Sequence, residues 1–278
     1  RLLGFGGWVM VSNVVGPVLV YLDRFLIGSL VSIAAVGYYA APYEAVTRLW
    51  IIPASLTSVL FPTFSLLQGA VNDEKILTLF LRSLKFQIAI LFPIILTIIV
   101  FAREGMTVWL GETFAHKSTL VLQILAIGVF VNSLSNVPFA LLQALGRPDL
   151  TAKFHLLELP VYGVMAFVLV RELGITGAAL AWTLRVTLDG ILLFGAALRS
   201  ARFPKLGQWV RRVAGGMVAV ALGALLLGVA KRALLGEVPA GWHILPLGGS
   251  FVVLLGLAWG TILDKDDRKL AMALVTAK

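Results

Sequence analysis

The sequence predicts an all-α, polytopic membrane helix bundle, and three observations carry that prediction. Of 278 residues, 59% are hydrophobic and only 13% charged, against about 25% charged in a typical soluble domain. Apolar runs of roughly 18 residues or more recur along almost the whole length, long enough to cross hydrocarbon. The basic residues fall mostly between those runs. No long polar segments exist to cover a soluble core.

Eight spans are expected, at about 4–27, 38–66, 83–101, 118–145, 154–171, 174–197, 213–230 and 243–263, each near the ~20 residues that cross ~30 Å of hydrocarbon. The second and fourth are long enough to require tilt or kinks. Only Leu173-Gly174 divides the fifth from the sixth. Proline enters each of the first five spans (Pro17; Pro42, Pro53 and Pro62; Pro93; Pro138; Pro160), removing a backbone donor and bending the helix. Three prolines mark the second span as a bent, cavity-lining element. The last two spans have no internal proline and almost no polar residues, as lipid-facing helices would. The connections are short, the longest being 68–82, 102–117 and 199–212, and none can form a domain. Residues 264–278 place charges before an amphipathic stretch suited to the membrane surface. The chain opens on Arg1 with no signal-type leader before the first span, and reads as a piece of a longer protein.

With Arg1 on the cytoplasmic side, 15 Lys and Arg fall on that side and five on the other (Arg103, Lys117, Arg171, Lys231 and Arg232), leaving Arg24, Arg48 and Arg185 inside spans. That bias predicts a multi-pass protein of the cytoplasmic (inner) membrane with both ends of this chain cytoplasmic. The net charge of +9 would suggest nucleic acid in a soluble protein. Here it sets topology and meets acidic lipid headgroups, so membrane lipids are expected as partners and nucleic acid is not. With no cysteine, disulfides, thiol catalysis and Cys-ligated metals are excluded.

Charge inside the spans is where function is expected, because an ionisable group at mid-membrane costs roughly 2.5–3.5 kcal/mol on insertion scales. In the first span Ser12, Gly16 and Asp23, with Asn13, Pro17 and Arg24, make one polar stripe. In the second, Glu44, Arg48, Ser55 and Ser58 make another, with Glu44 and Arg48 spaced i, i+4 for an intrahelical pair. Adjacent spans on a short loop pack together, so both stripes can face one space. Arg185 and Asp189 form a second i, i+4 pair, deep in the sixth span. Asn132, Asn136 and Gln143 recur along the fourth span, suited to interhelical bonds or to a polar guest. His155 and Glu158 are spaced i, i+3, but His116 and His243 lie in different loops and nothing completes a metal site. GxSxG, HExxH, Walker and GxGxxG patterns are absent, and Gly4-Phe5-Gly6-Gly7 has no strand before it.

Val20–Ser65, VYLDRFLIGSLVSIAAVGYYAAPYEAVTRLWIIPASLTSVLFPTFS, resembles the start of the second lobe of polysaccharide-repeat-unit flippases, the O-antigen and capsule exporters of the multidrug/oligosaccharidyl-lipid/polysaccharide superfamily. The likeness lies in Asp23-Arg24, in Val36-Gly37-Tyr38-Tyr39 after a short loop, and in Phe61-Pro62. Leu120–Pro160 (LVLQILAIGVFVNSLSNVPFALLQALGRPDLTAKFHLLELP) and Leu173–Arg185 (LGITGAALAWTLR) are similar to the same family. The resemblance implies a MATE-like fold of two six-helix lobes. Residues 1–198 would be the second lobe, and 199–278 two further C-terminal helices with a basic cytoplasmic loop and tail. It implies a transporter, not an enzyme, that flips an isoprenoid-diphosphate-linked oligosaccharide by alternating access. Its partners would be that lipid-linked oligosaccharide, the preceding lobe of the same protein, and polysaccharide polymerase machinery. On that reading Arg24, Arg48 and Arg185 contact the diphosphate or sugar, since arginine recognises such anions bidentately. Asn132, Asn136 and Gln143 bond sugar hydroxyls. Asp23, Glu44 and Asp189 pair with the arginines or couple an ion, H+ or Na+, with no other cofactor and no metal. The alternatives are a drug/cation antiporter or a peptidoglycan-precursor flippase of the same superfamily, a membrane-embedded glycan-processing enzyme, and a structural subunit with dry polar stripes.

Overall fold

Where the chain reverses decides which of its charges meet. In the computed structural model, residues 2–69, 73–200, 206–235 and 244–276 are described, with side chains described at 10, 17–69, 73–200, 207–231 and 248–272. The side chains of Ser12 and Asn13, the surroundings of Gly16, and His243 altogether therefore lie outside the described residues. All described secondary structure is helical: α1 (Leu2–Leu30), α2 (Ile33–Thr47), a 3-10 turn (Arg48–Trp50), α3 (Ile51–Gly69), α4 (Asp73–Val100), α5 (Ala102–Leu110), α6 (Glu112–Ala144), α7 (Pro148–Ser200), α8 (Leu206–Leu235), α9 (Ile244–Thr261) and α10 (Lys265–Thr276).

Five described stretches are long and apolar enough to cross a membrane: Ile33–Gly69, Asp73–Val100, Glu112–Ala144, Pro148–Ser200 and Gly207–Lys231. The protein is an all-α, polytopic membrane helix bundle. The 53 residues of α7 would run to about 80 Å if straight, far beyond one crossing, and they do not run straight. Gly174 has φ 57° and ψ −135°, a conformation open in practice to glycine alone. Beyond it, a Cβ on Gly177 would stand 1.8 Å from the Leu169 carbonyl oxygen. Two glycines thus let α7 fold back on itself, and the predicted division at Leu173-Gly174 is a real helix boundary.

The other breaks have equally local causes. Ser32 caps α2 by accepting from the Ala35 N–H at 3.0 Å. The 3-10 turn follows from Pro53, which cannot donate to the Leu49 carbonyl and crowds it, so the predicted second span is two helices joined at 48–50. At the end of α6 the N–H of Gly146 (φ 70°) bonds the Gln143 carbonyl and that of Arg147 the Leu142 carbonyl. This is a Schellman stop, with Pro148 opening the next helix. Two predicted loops are largely helical. Helix α4 starts at Asp73, with Asp73 and Glu74 favourably placed in its first turn, and α5 occupies part of 102–117.

Contacts divide the chain into two units, residues 1–80 with 117–202, and residues 81–116 with 203–278. In the first, α1 packs chiefly on α7 around buried Leu19, Tyr162, Ala166 and Ala181, where small residues let the backbones approach. Helix α6 meets α7 where Gly128 faces Trp182 (a Cβ there would stand 2.5 Å from the ring) and where Thr183 donates to the Ile124 carbonyl at 3.1 Å. In the second unit α8 packs on α9 through Gly216 and Gly223, where a Cβ would come within 2.8 Å and 2.7 Å of Ile262 and Leu257. Helix α10 is pinned there by Lys85, which donates to Asp264 at 2.8 Å and Asp267 at 2.6 Å.

Candidate functional site

Helix α1 turns Leu19, Asp23 and Ile27 inward at i, i+4, i+8. Asp23 is fully buried, where a carboxylate needs partners. Its Oδ2 accepts a short hydrogen bond from the Tyr39 hydroxyl of α2, and its Oδ1 accepts the Arg24 N–H at 2.7 Å. Arg24 itself bonds Glu44 at 3.1 Å and the Val20 carbonyl at 3.3 Å. Its guanidinium lies 4.5 Å from the Tyr43 ring centre and 5.4 Å from that of Tyr21.

This corrects one expectation. Glu44 pairs with Arg24 across two helices and not with Arg48 on its own, because α2 ends at Thr47 and Arg48 opens the 3-10 turn. Arg48 is exposed and makes no ion pair among the described residues. Ser55 and Ser58 spend their hydroxyls on the carbonyls of Ile51 and Ser55.

A second correction follows from the Gly174 reversal. The antiparallel halves of α7 place Arg185 against Glu158 (3.5 Å), and no ion pair joins Arg185 to Asp189. The guanidinium lies 5.4 Å from the Tyr162 ring centre. Glu158 is fully buried and Asp189 nearly so.

Beside these groups is a cavity of about 190 Å³ lined by Leu19 and Val20 of α1, Trp50, Asn132 of α6, and His155, Trp182, Arg185 and Asp189 of α7. The aromatic rings form a continuous cluster, of which Trp50 and Trp182 line the cavity: Tyr39 stacks on Tyr43 at 5.9 Å, Tyr43 meets Trp182 edge-on at 5.6 Å, and Trp50 lies 6.4 Å from both Tyr43 and Trp182. Several buried polar atoms here have no hydrogen-bond partner: Tyr43 Oη, Trp50 Nε1, His155 Nδ1, Tyr162 Oη, Arg185 Nε and Asp189 Oδ1. Buried polar atoms are nearly always satisfied in folded proteins, so this cluster is unusual and chemically receptive.

Of the residues singled out from sequence, Arg185, Asp189 and Asn132 line the cavity together. Asp23, Arg24 and Glu44 form a separate α1–α2 network. Asn136 bonds its own helix, donating to the carbonyls of Asn132 (3.0 Å) and Ser133 (3.4 Å), and Gln143 donates to Thr151 at 3.4 Å. The spacing of His155 and Glu158 suggests only a metal pair, and the charge pattern singles out none of Trp50, Trp182, Tyr39, Tyr43 or Tyr162 as cargo-site residues. The i, i+4 recurrence of Tyr39 and Tyr43 beside Glu44 was a readable signal. The pairing of Glu158 with Arg185 was not, because it depends on the turn between them. No three metal-ligating side chains converge among the described residues.

The described residues thus form a polytopic helix bundle with buried charge and aromatic rings beside a small cavity, and comparison with known proteins says what the chain resembles. A sequence profile described as "Polysaccharide biosynthesis protein" matches residues 1–119. The chain is 36% identical over 193 residues to the "Putative O-antigen transporter" of Shigella flexneri, covering 69% of this chain and 46% of that protein. It is 25% identical over 191 residues to the "Probable low-salt glycan biosynthesis flippase Agl15" of Haloferax volcanii, covering 69% of this chain and 40% of that protein. It is also 28% identical over 181 residues to the "Teichuronic acid biosynthesis protein TuaB" of Bacillus subtilis, covering 64% and 36%. The resemblance to polysaccharide biosynthesis proteins of the O-antigen flippase type holds. The chain spans about half the length, or less, of these curated relatives.

Proposed function

We propose that this chain forms the second lobe, with two trailing helices, of an inner-membrane flippase that moves a lipid-linked oligosaccharide by alternating access for polysaccharide export. The observation that carries the reading is the half-buried Arg185, whose Nε has no hydrogen-bond partner, lining a cavity walled by Trp50 and Trp182. The names of the relatives, an O-antigen transporter and a glycan flippase, supply the cargo class. A diphosphate carries several negative charges that a guanidinium fork meets bidentately, and aromatic faces suit the apolar faces of sugar rings.

Arg185 and the exposed Arg48 contact the anionic headgroup, and Asn132 a sugar hydroxyl. Arg24, engaged by Glu44 and two rings, orders the α1–α2 pair and turns toward cargo only when Glu44 releases it. Asn136 and Gln143 reach cargo only by giving up their present bonds. Asp189 and Asp23 are the acids that would carry a coupling H+ or Na+. The basic bias puts both chain ends in the cytoplasm. The partners are the lipid-linked oligosaccharide, the first lobe, surrounding lipid and the polymerase machinery that consumes the flipped unit.

The test uses the full-length parent. Arg185→Gln and Arg48→Ala, each made alone, should abolish surface glycan while membrane abundance stays at the wild-type level. Normal glycan in Arg185→Gln would remove the cavity from the mechanism, and normal glycan in Arg48→Ala would remove Arg48 from the cargo path.

A further inference from the structure

The Gly174 turn that brings Arg185 to Glu158 also sets the two far ends of α7 beside each other. Between them, in the same unit, opens a groove of about 810 Å³ that shares no lining residue with the cavity above. Its walls are apolar, from Leu150, Phe154, Ile191 and Leu192, and two of its lining residues are Arg147 and Arg199. Asp149 accepts from Arg147 Nε at 3.1 Å and from Lys153 at 3.1 Å, which steadies the Arg147 fork by one nitrogen only. Arg199 makes no ion pair among the described residues. With Asp149 set against Arg147, the two arginines of the lining still leave the groove with a net positive charge. A purely apolar guest would leave both arginines unused, and a small soluble anion would leave the apolar walls bare. The complement of this arrangement is a phosphate attached to a hydrocarbon chain.

We propose that the groove is a binding site for an anionic phospholipid. The headgroup phosphate lies between Arg147 and Arg199, and an acyl chain runs along Phe154, Ile191 and Leu192. The site is independent of cargo transport. It reads the charge of the surrounding leaflet, since each basic side chain near an anionic surface contributes attraction that a zwitterionic lipid does not supply.

Native mass spectrometry of the purified chain, with phosphatidylglycerol or phosphatidylcholine added, tests it. Phosphatidylglycerol should remain bound where phosphatidylcholine is lost, and the double variant Arg147→Gln/Arg199→Gln should bind phosphatidylglycerol about 30-fold more weakly. Ile191→Trp, which fills the groove and keeps both arginines, should weaken it as well. Arg199→Gln alone, an exposed change with no described ion pair to lose, guards against misfolding and should give a smaller loss in the same direction. Equal retention of the two lipids, or wild-type retention by the double variant, overturns the proposal. So does displacement of phosphatidylglycerol by inorganic phosphate, which needs no chain, or by farnesyl diphosphate, which would make the groove a cargo site.

Discussion

Both compact units bury charge, and they do so in opposite ways. In the unit of residues 81–116 and 203–278, Lys85 meets two carboxylates, Asp267 also takes Arg82 at 3.0 Å, and Asp264 takes Arg212 at 3.6 Å and the Asp267 N–H at 3.1 Å. These charges close on one another. In the unit of residues 1–80 and 117–202, Arg185 and Glu158 approach only to 3.5 Å, and several polar atoms around them lack hydrogen-bond partners beside a cavity. Buried charge is therefore not by itself a sign of function. Satisfied charge fastens helices together, whereas unsatisfied charge beside space is available to a guest.

The comparison breaks most readily at Lys85. Replacing it with Met leaves buried Asp267 with Arg82 alone and Asp264 with the more distant Arg212, and removing one partner of such a cluster costs up to about 3–5 kcal/mol. Thermal unfolding in detergent should show the loss, with membrane abundance falling alongside. Were Lys85→Met as stable as wild type, the cluster would not be the fastening described here. Arg185→Gln should behave in the opposite sense, costing under about 2 kcal/mol in the same assay because its pair is already loose, while export in the full-length parent disappears. An intermediate case is Tyr39→Phe, which removes the donor to fully buried Asp23 and should cost about 1–3 kcal/mol. Glu44→Gln, at an exposed ion pair, should cost no more than about 1 kcal/mol.

The smallest effect is one of pH. Burial alone would raise the Asp264 carboxyl, but hydrogen bonds from Lys85 and from Asp267 outweigh it and hold the group below its ordinary range. A depressed pKa stabilises the fold fully above the unfolded value, about 3.9, and that contribution is lost as pH falls through the folded value. Between pH 8 and 5 the group's contribution is full and constant, so the unfolding midpoint should not change through it there and should decline below about pH 4. Asp264→Asn should flatten that decline, and an unchanged acid limb in the variant would show that another group is responsible.

Much of the fold was legible because its causes are local. Hydropathy marks the membrane segments, Leu173-Gly174 marks a boundary that no other residue pair would allow, and Pro53 explains a break in a segment otherwise helical throughout. The helical parts of 73–82 and 102–110 are less legible because their charges suggest loop, although acids favour a helix start and α5 is amphipathic. The site was half legible. Asp23, Arg24, Glu44, Arg185 and Asp189 announce themselves as charges in hydrocarbon, but spacing of i, i+4 named the wrong partners for Glu44 and Arg185.

The sequence by itself determined the class, the approximate spans, the charge asymmetry and the family likeness, because hydropathy, backbone-restricting residues and motif order all act within a few turns of chain. Only the tertiary structure decided that Arg24 takes Glu44, that Arg185 takes Glu158, and that Trp50, Asn132 and Asp189 share one cavity. Those choices depend on how helices return and cross. A buried charge is satisfied by whichever opposite group the packing brings near, however far away that group lies along the chain.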